Sequence, residues 1–299
     1  MDRILIYVVL GGGNDALNTL IPLDSVNNNL YYTYRPTIGI SNPTQLTTDI
    51  GIHPSASSLK NMFDAGNAAI IQGVHYPNPQ KSHFLGTDIM ISAKDGNTST
   101  ETGAGFLGNW LYEKYPGYPG SFPNAIIEDP LAIKLGTAPP QIAFTEGTTG
   151  INMGLSLLGS PNNFRSLVLS VDQPSTNPLG LTASKRKIAR WYAADSAADN
   201  FSGAMANTWA AGTNVVSYTT GKLDDQLMDV ARMIKGGSKT QIYLVSMGGF
   251  DTHSSQVTSG NSSAGTHATL LADAFGNIEA FFSSSEIKTT SSGATIKKL

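Results

Sequence analysis

The 299-residue chain contains no cysteine. Thiol chemistry, Cys-ligated zinc and disulfides are therefore excluded, and a bound metal would need His, Asp, Glu or Asn as ligands. Charge is scarce as well. Asp, Glu, Lys and Arg make up 14% of residues, against about 25% in an average soluble domain. Ser, Thr, Asn and Gly must then supply much of the polar surface, a composition that suits a periplasmic or extracellular protein. The net charge is −3, and the longest basic run is Lys185-Arg186-Lys187, which reads as a solvated helix face. The basic stripe of a nucleic-acid binder is missing. No apolar run reaches the roughly 18 residues that a membrane span needs. Ile4–Leu10 is apolar but short, ends at Gly11-Gly12-Gly13 and lacks the cleavage pattern of a signal peptide. An export signal is expected to lie outside this sequence.

Hydrophobic residues make up 40% of the chain, enough for a substantial core. No internal repeat and no clear linker divides it, so residues 1–299 read as a single domain. Ile4–Leu10 predicts a buried strand, because it is short, continuous and rich in β-branched residues. His53-Pro54-Ser55 opens a helix with Leu59, Met62 and Phe63 on one face and Gly66 at its end. Ala68–Val74 predicts the next strand, and strand, helix, strand is the rhythm of a βαβ unit. Helices are also predicted over Phe106–Tyr115 and from Thr182 to about Ala211. Leu223, Leu227, Val230 and Ile234 mark a helix face that ends at Gly236-Gly237. Gln241–Met247 is a second buried strand. A last helix starts near Thr266 and lines up Leu270, Leu271, Ala274, Phe275, Ile278 and Phe282. The fold class is α/β, with a mostly parallel central sheet flanked by helices.

Two places share one grammar of buried strand, glycines and acid: Leu10-Gly-Gly-Gly-Asn-Asp15 and Met247-Gly-Gly-Phe-Asp251-Thr-His253. If both strands lie in one parallel sheet, both acids sit on its carboxyl edge, where open α/β sheets present ligands. Two carboxylates and an imidazole there would suit a divalent cation. In an extended segment, residues i and i+2 face the same side, so Asp251 and His253 would reach one ion. The plainer reading is that the glycines make tight turns and Asp15 caps the following helix. Lys81-Ser82-His83-Phe84 is a third candidate. Ser82 would be a metal-activated nucleophile and His83 a base, or both belong to an ordinary loop. His53 reads as structural, His267 as neutral and structural or superficial, and Tyr31, Tyr32 and Tyr34 as packing residues or pocket lining.

Taken together, Gly-Gly-Asn-Asp15-Ala-Leu-Asn18-Thr, Lys-Ser82-His83-Phe84 and Gly-Gly-Phe-Asp251-Thr-His253, in this order, resemble the bacterial domain-of-unknown-function family 1501. Tyr32-x-x-Arg35-Pro36, His53-Pro54 and Gly105-Phe-Leu-Gly-Asn-Trp110-Leu add to the likeness, which covers nearly the whole chain. That family is similar to the alkaline phosphatase and sulfatase superfamily. The resemblance implies an alkaline phosphatase-like sheet with a divalent ion, such as Zn, Mn, Ca or Mg, at its carboxyl edge. It implies Asp15, Asp251 and His253 as metal ligands, Ser82 as nucleophile, and Asn14, Asn18 and His83 as neighbours that touch substrate. The substrate would be a phosphate or sulfate ester, of a small molecule or a glycan. Ala16 stands where the family has Gly. The family's later Ser-Glu-Phe-Gly-Arg-like and Thr-Asp-His-Gly segments, with further ligands, have no counterpart after Phe282. The expectation is therefore a metal-dependent hydrolase lacking the family's C-terminal segment, with self-association or completion by another chain left open. The alternative is a non-catalytic secreted or surface structural protein that retains the fold with an incomplete site.

Overall fold

The computed structural model describes residues 4–77, 79, 81–93, 103–136, 141–157, 159–171 and 196–283. Its centre is a four-stranded, all-parallel sheet in the order β1-β7-β5-β6. The strands are β1 (Leu5–Gly11), β5 (Ala132–Lys134), β6 (Leu155–Ser156) and β7 (Ile242–Gly248). The α/β class expected from the sequence is thus the observed one. The two apolar runs that predicted buried strands are β1 and β7. They pair along their whole length, from Leu5 opposite Ile242 to Gly11 opposite Gly248. A smaller antiparallel sheet joins β2 (Leu20–Pro22), β3 (Thr44–Gln45) and β4 (Ile50–Ile52), with β4 in the middle.

Helices cover both faces of the main sheet. The helices among the described residues are α1 (Ala16–Thr19), α2 (Ser25–Tyr34), α3 (Ser57–Asp64), α4 (His83–Ser92), α5 (Phe106–Lys114), α6 (Pro161–Val171), α7 (Ser196–Ala211), α8 (Asp224–Lys235) and α9 (Thr266–Phe281). On one face, Leu227, Val230 and Ile234 of α8 and Leu270, Leu271 and Ala274 of α9 pack with Tyr243, Val245 and Met247 of β7. On the other, Ile91 of α4 and Leu107 and Leu111 of α5 pack with Ile242 and Leu244. Alternate residues of one strand therefore feed opposite cores, which is why β7 reads as a continuous apolar run. Gly66 closes α3 as its sequence position suggests. At φ +70° its N–H reaches the Phe63 carbonyl, and the Asn67 N–H reaches that of Met62.

One predicted element is absent. Ala68–Val74 forms no strand. Gly73 takes φ +69°, which interrupts an extended run, and Ile71 and Val74 stand 82% and 79% exposed. The neighbour of β1 is instead β7, more than two hundred residues further along, so the local βαβ rhythm misidentified the strand's partner. On its other side β1 has no paired strand among the described residues. The predicted helix between Thr182 and Ala211 is present as α7 from Ser196 on; its earlier part and Lys185-Arg186-Lys187 lie outside the described residues. No helix among the described residues is long and apolar enough to cross a membrane.

Candidate functional site

The register of β1 and β7 puts Gly11 beside Gly248, so the two glycine turns leave the carboxyl edge side by side. The second folds onto the first. The Phe250 N–H donates to the Gly11 carbonyl at 3.2 Å. A Cβ at Gly12, where φ is +107°, would lie 2.7 Å from the Asp251 nitrogen. The glycine therefore permits a contact that a side chain would block. Lys222 supports the second turn from outside, donating from Nζ to the Gly248 carbonyl at 2.9 Å.

Asp15 ends the first turn with its carboxylate fully engaged. One oxygen accepts from the Asn18 N–H at 3.2 Å and so caps α1. The other accepts from Arg35 Nη1 and from Gln256 Nε2, each at 2.6 Å. Burial alone would raise its pKa. The Arg35 and Gln256 hydrogen bonds and the guanidinium charge outweigh that and hold it below the usual carboxylate value. Of the two readings open for Asp15, the structure displays the cap, with an ion pair added.

The second turn is more open. The Asp251 and His253 side chains are 48% and 77% exposed, with His253 Nε2 2.7 Å from Asp251 Oδ1. His83 approaches the same oxygen at 3.5 Å through its own Nε2. It is placed there by α4, whose first residue it is, and by Gly13, whose absent side chain makes room for the ring. A Cβ at Gly13 would lie 2.5 Å from His83 Cε1. Ser82 is the N-cap of α4 and accepts from the Leu85 N–H at 3.4 Å. Ser82 and His83 thus arrive on the third loop at the edge where Asp251 stands. Gly13→Ala is expected to displace the His83 ring and to strain a backbone at φ +78°. The measurable outcome is a shifted His83 ring signal in the NMR spectrum; an unchanged His83 signal would show that Gly13 does not seat it.

Asn14 and Asn18 have structural positions. Asn14 exchanges hydrogen bonds with Thr19 and meets His267 Nε2 at 2.9 Å. Asn18 is fully buried. Its amide donates to the Ile38 carbonyl and accepts from Tyr31 and Arg35, so it holds the loop from inside and has no surface for a substrate. Tyr31 is buried in that network while Tyr34 is 78% exposed. His267 is buried, and His53 caps its helix by accepting from the Ser55 N–H at 3.0 Å, as their sequence positions suggest. Arg35 and Gln256, the partners of Asp15, carry no local sign of that role. In a chain with so little charge, a lone Arg within the motif Tyr32-x-x-Arg35-Pro36 was the available hint.

The donors nearest to a metal arrangement are the Asp251 carboxylate and the His253 and His83 imidazoles. The two nitrogens lie 2.7 and 3.5 Å from one carboxylate oxygen. Imidazole and carboxylate are donor types that a divalent ion accepts, but these contacts are imidazole-to-carboxylate contacts as they stand. Both imidazoles point at the carboxylate oxygen. Among the described residues no group of three or more His, Asp or Glu is arranged as it stands to hold an ion. The His253–Asp251 contact would have to open around one. The chain matches no family model, no curated protein and no solved structure.

Proposed function

We propose that the chain is a metal-dependent hydrolase of phosphate or sulfate esters, acting at the carboxyl edge of the sheet and related to the alkaline phosphatase-like family 1501 that its motifs resemble. The observation that carries the reading is the meeting of His83 and His253 on Asp251, beside the Ser82 that caps α4. Asp251, His253 and His83 hold the ion in this reading. Asp15, engaged by Arg35 and Gln256, positions the first turn. A bound divalent ion would supply Lewis-acid stabilisation of the charge that develops on the transferring group. Ser82 attacks phosphorus or sulfur, the alcohol of the ester leaves, and water then releases phosphate or sulfate from the serine. The N-terminus of the ten-residue α4 favours negative charge on the Ser82 oxygen and on the ester.

The test is turnover of an aryl phosphate and an aryl sulfate in the presence of Zn, Mn, Ca or Mg. Turnover is expected, with a loss of at least about 100-fold in Ser82→Ala, in line with removing an activated nucleophile. Turnover that persists in Ser82→Ala removes Ser82 from the mechanism. No turnover with any of the ions removes the enzyme reading.

A second reading, a secreted or surface structural protein that keeps the fold without the activity, draws on a different part of the surface. An open apolar groove of about 880 Å³ lies between α1, α2, β4 and residues 71–74, lined by Leu17, Leu30, Tyr34, Ile71 and Val74. Together with the side of β1 that has no paired strand among the described residues, it would suit self-association or completion by another chain. Concentration-dependent assembly without turnover would favour this reading; a monomer at all concentrations would contradict it.

A further inference from the structure

The His253 backbone lies at φ +44°; among the described residues Ala93 is the only other non-glycine residue with positive φ. A Cβ crowds the backbone in that conformation, so it persists only where neighbouring contacts hold it. Within the turn, the Thr252 carbonyl accepts from the Ser255 N–H at 3.0 Å and from the Ser255 hydroxyl at 2.7 Å. The His253 carbonyl accepts from the Gln256 N–H at 3.2 Å. A further contact comes from the Thr252 side chain, which is buried between its exposed neighbours Asp251 and His253. Its hydroxyl donates to Gln256 Oε1 at 3.2 Å.

The direction of that bond is set at the first glycine turn. The Asp15 pKa is held below the usual carboxylate value, so at neutral pH the group is ionised and can only accept. Gln256 must therefore turn its Nε2 toward Asp15, as it does at 2.6 Å. That leaves Oε1, an acceptor, for the Thr252 hydroxyl. A carboxamide suits the place: a carboxylate there would repel Asp15, and an ammonium could not accept from Thr252. The Gln256 backbone is fastened too, because its carbonyl accepts from the His267 N–H in the first turn of α9. Arg35, Asp15, Gln256 and Thr252 thus form one polar chain that joins the two turns, through a bond between residues 241 positions apart.

We infer that Gln256 is a positioning residue, which ties Thr252 to the Asp15–Arg35 pair and so holds the His253 imidazole at Asp251. That the held imidazole serves a divalent ion rests on the function proposed above; the hold on His253 does not. With the link cut, the turn loses a contact that maintains its strained residue, and His253 relaxes to negative φ and away from Asp251.

The test uses the full chain and two readouts. The first, without added metal, is the NMR cross-relaxation between the His253 amide and its own Hα, which is strong at positive φ and weak at negative φ. The second is calorimetric affinity for Zn and Mn. Gln256→Met and Thr252→Val each remove the link with little change in shape. Both are expected to weaken the cross-relaxation and to lower ion affinity about tenfold, the scale on which groups behind a metal ligand act. Thr252→Ser retains the hydroxyl and is expected to restore wild-type values of both. Cross-relaxation unchanged in Gln256→Met and Thr252→Val overturns the inference, as does an equal loss in Thr252→Ser and Thr252→Val. If Gln256→Met does not fold, the two Thr252 variants decide alone. Weakened cross-relaxation with unchanged ion affinity overturns the role of Gln256 at the ion and leaves the ion site standing. No ion binding in the wild type does the reverse: it defeats the ion site, and the cross-relaxation decides the hold on His253.

Discussion

Replacing Asp15 with Ala is expected to lower the free energy of unfolding by about 3 kcal/mol, the low end of what breaking one side of a buried ion pair costs. Asp15 and Arg35 are 16% and 20% exposed at the side chain, so the pair is shielded but not dry, and some discount for solvent is already in that figure. The same substitution removes the cap of α1 and the Gln256 contact. It leaves the Arg35 guanidinium beside the buried Asn18 oxygen without its counter-charge. Asp15→Asn keeps the cap and should cost less. Arg35→Met should cost a similar amount to Asp15→Ala, and the double variant less than the sum, since both remove one interaction. Urea unfolding of the four proteins measures this; a loss below about 1 kcal/mol in Asp15→Ala would mean that the ion pair is superficial. The pH sign follows from the lowered pKa of Asp15. Its contribution is present above the carboxylate's unfolded value and is lost as pH falls through the lower folded value.

Acid should weaken the fold well before that, through His53. His53 and His267 lie edge to face, ring centres 5.7 Å apart, both buried. Burial, and then the neighbouring His267, push the His53 pKa down to about 4 from 6.5. Burial also lowers the pKa of His267; Asp15 opposes this and Arg35 adds to it. Burial thus disfavours the charged form of both rings in the folded protein. Below 6.5 the unfolded chain takes up a proton that the folded chain refuses. Stability is therefore full above about 6.5 and falls as pH drops toward about 4. The His53 share of the loss is about 3 kcal/mol, at 1.36 kcal/mol for each unit of pKa difference. His53→Asn retains a side chain able to cap at Ser55 and should flatten the slope between pH 7 and pH 4. Thermal unfolding across that range decides: parallel slopes in wild type and His53→Asn would refute a buried neutral His53.

These effects bear on what was legible beforehand. The apolar runs of β1 and β7 and the glycines behind them placed two acid-bearing turns on one sheet edge, because period and turn chemistry are local properties. The plainer reading of Asp15 as a cap was equally local. Its pairing with Arg35 was not, since a loop and a helix had to fold back across 20 residues to bring them together. His83 was linked to the site by resemblance, but its seat depends on the emptiness at Gly13, a contact across some 70 residues of chain. Ala68–Val74 failed as a strand for a related reason: an apolar run signals a need for burial and does not identify what buries it. Asn18 was assigned to the substrate because it lies in the motif. Only its burial, with both ends of the amide hydrogen-bonded, reveals a structural role.

The central claim is that Asp251, His253 and His83 form a divalent-ion site. Calorimetric titration of Zn and Mn into the wild type and into Asp251→Ala tests it most directly, because binding is read without any assumption about substrate. The account predicts saturable binding of at least one ion per chain in the wild type, with a loss of at least about tenfold in affinity in Asp251→Ala, the scale expected for removing a shared ligand. Equal affinity in the two proteins, or no binding in the wild type, would contradict it.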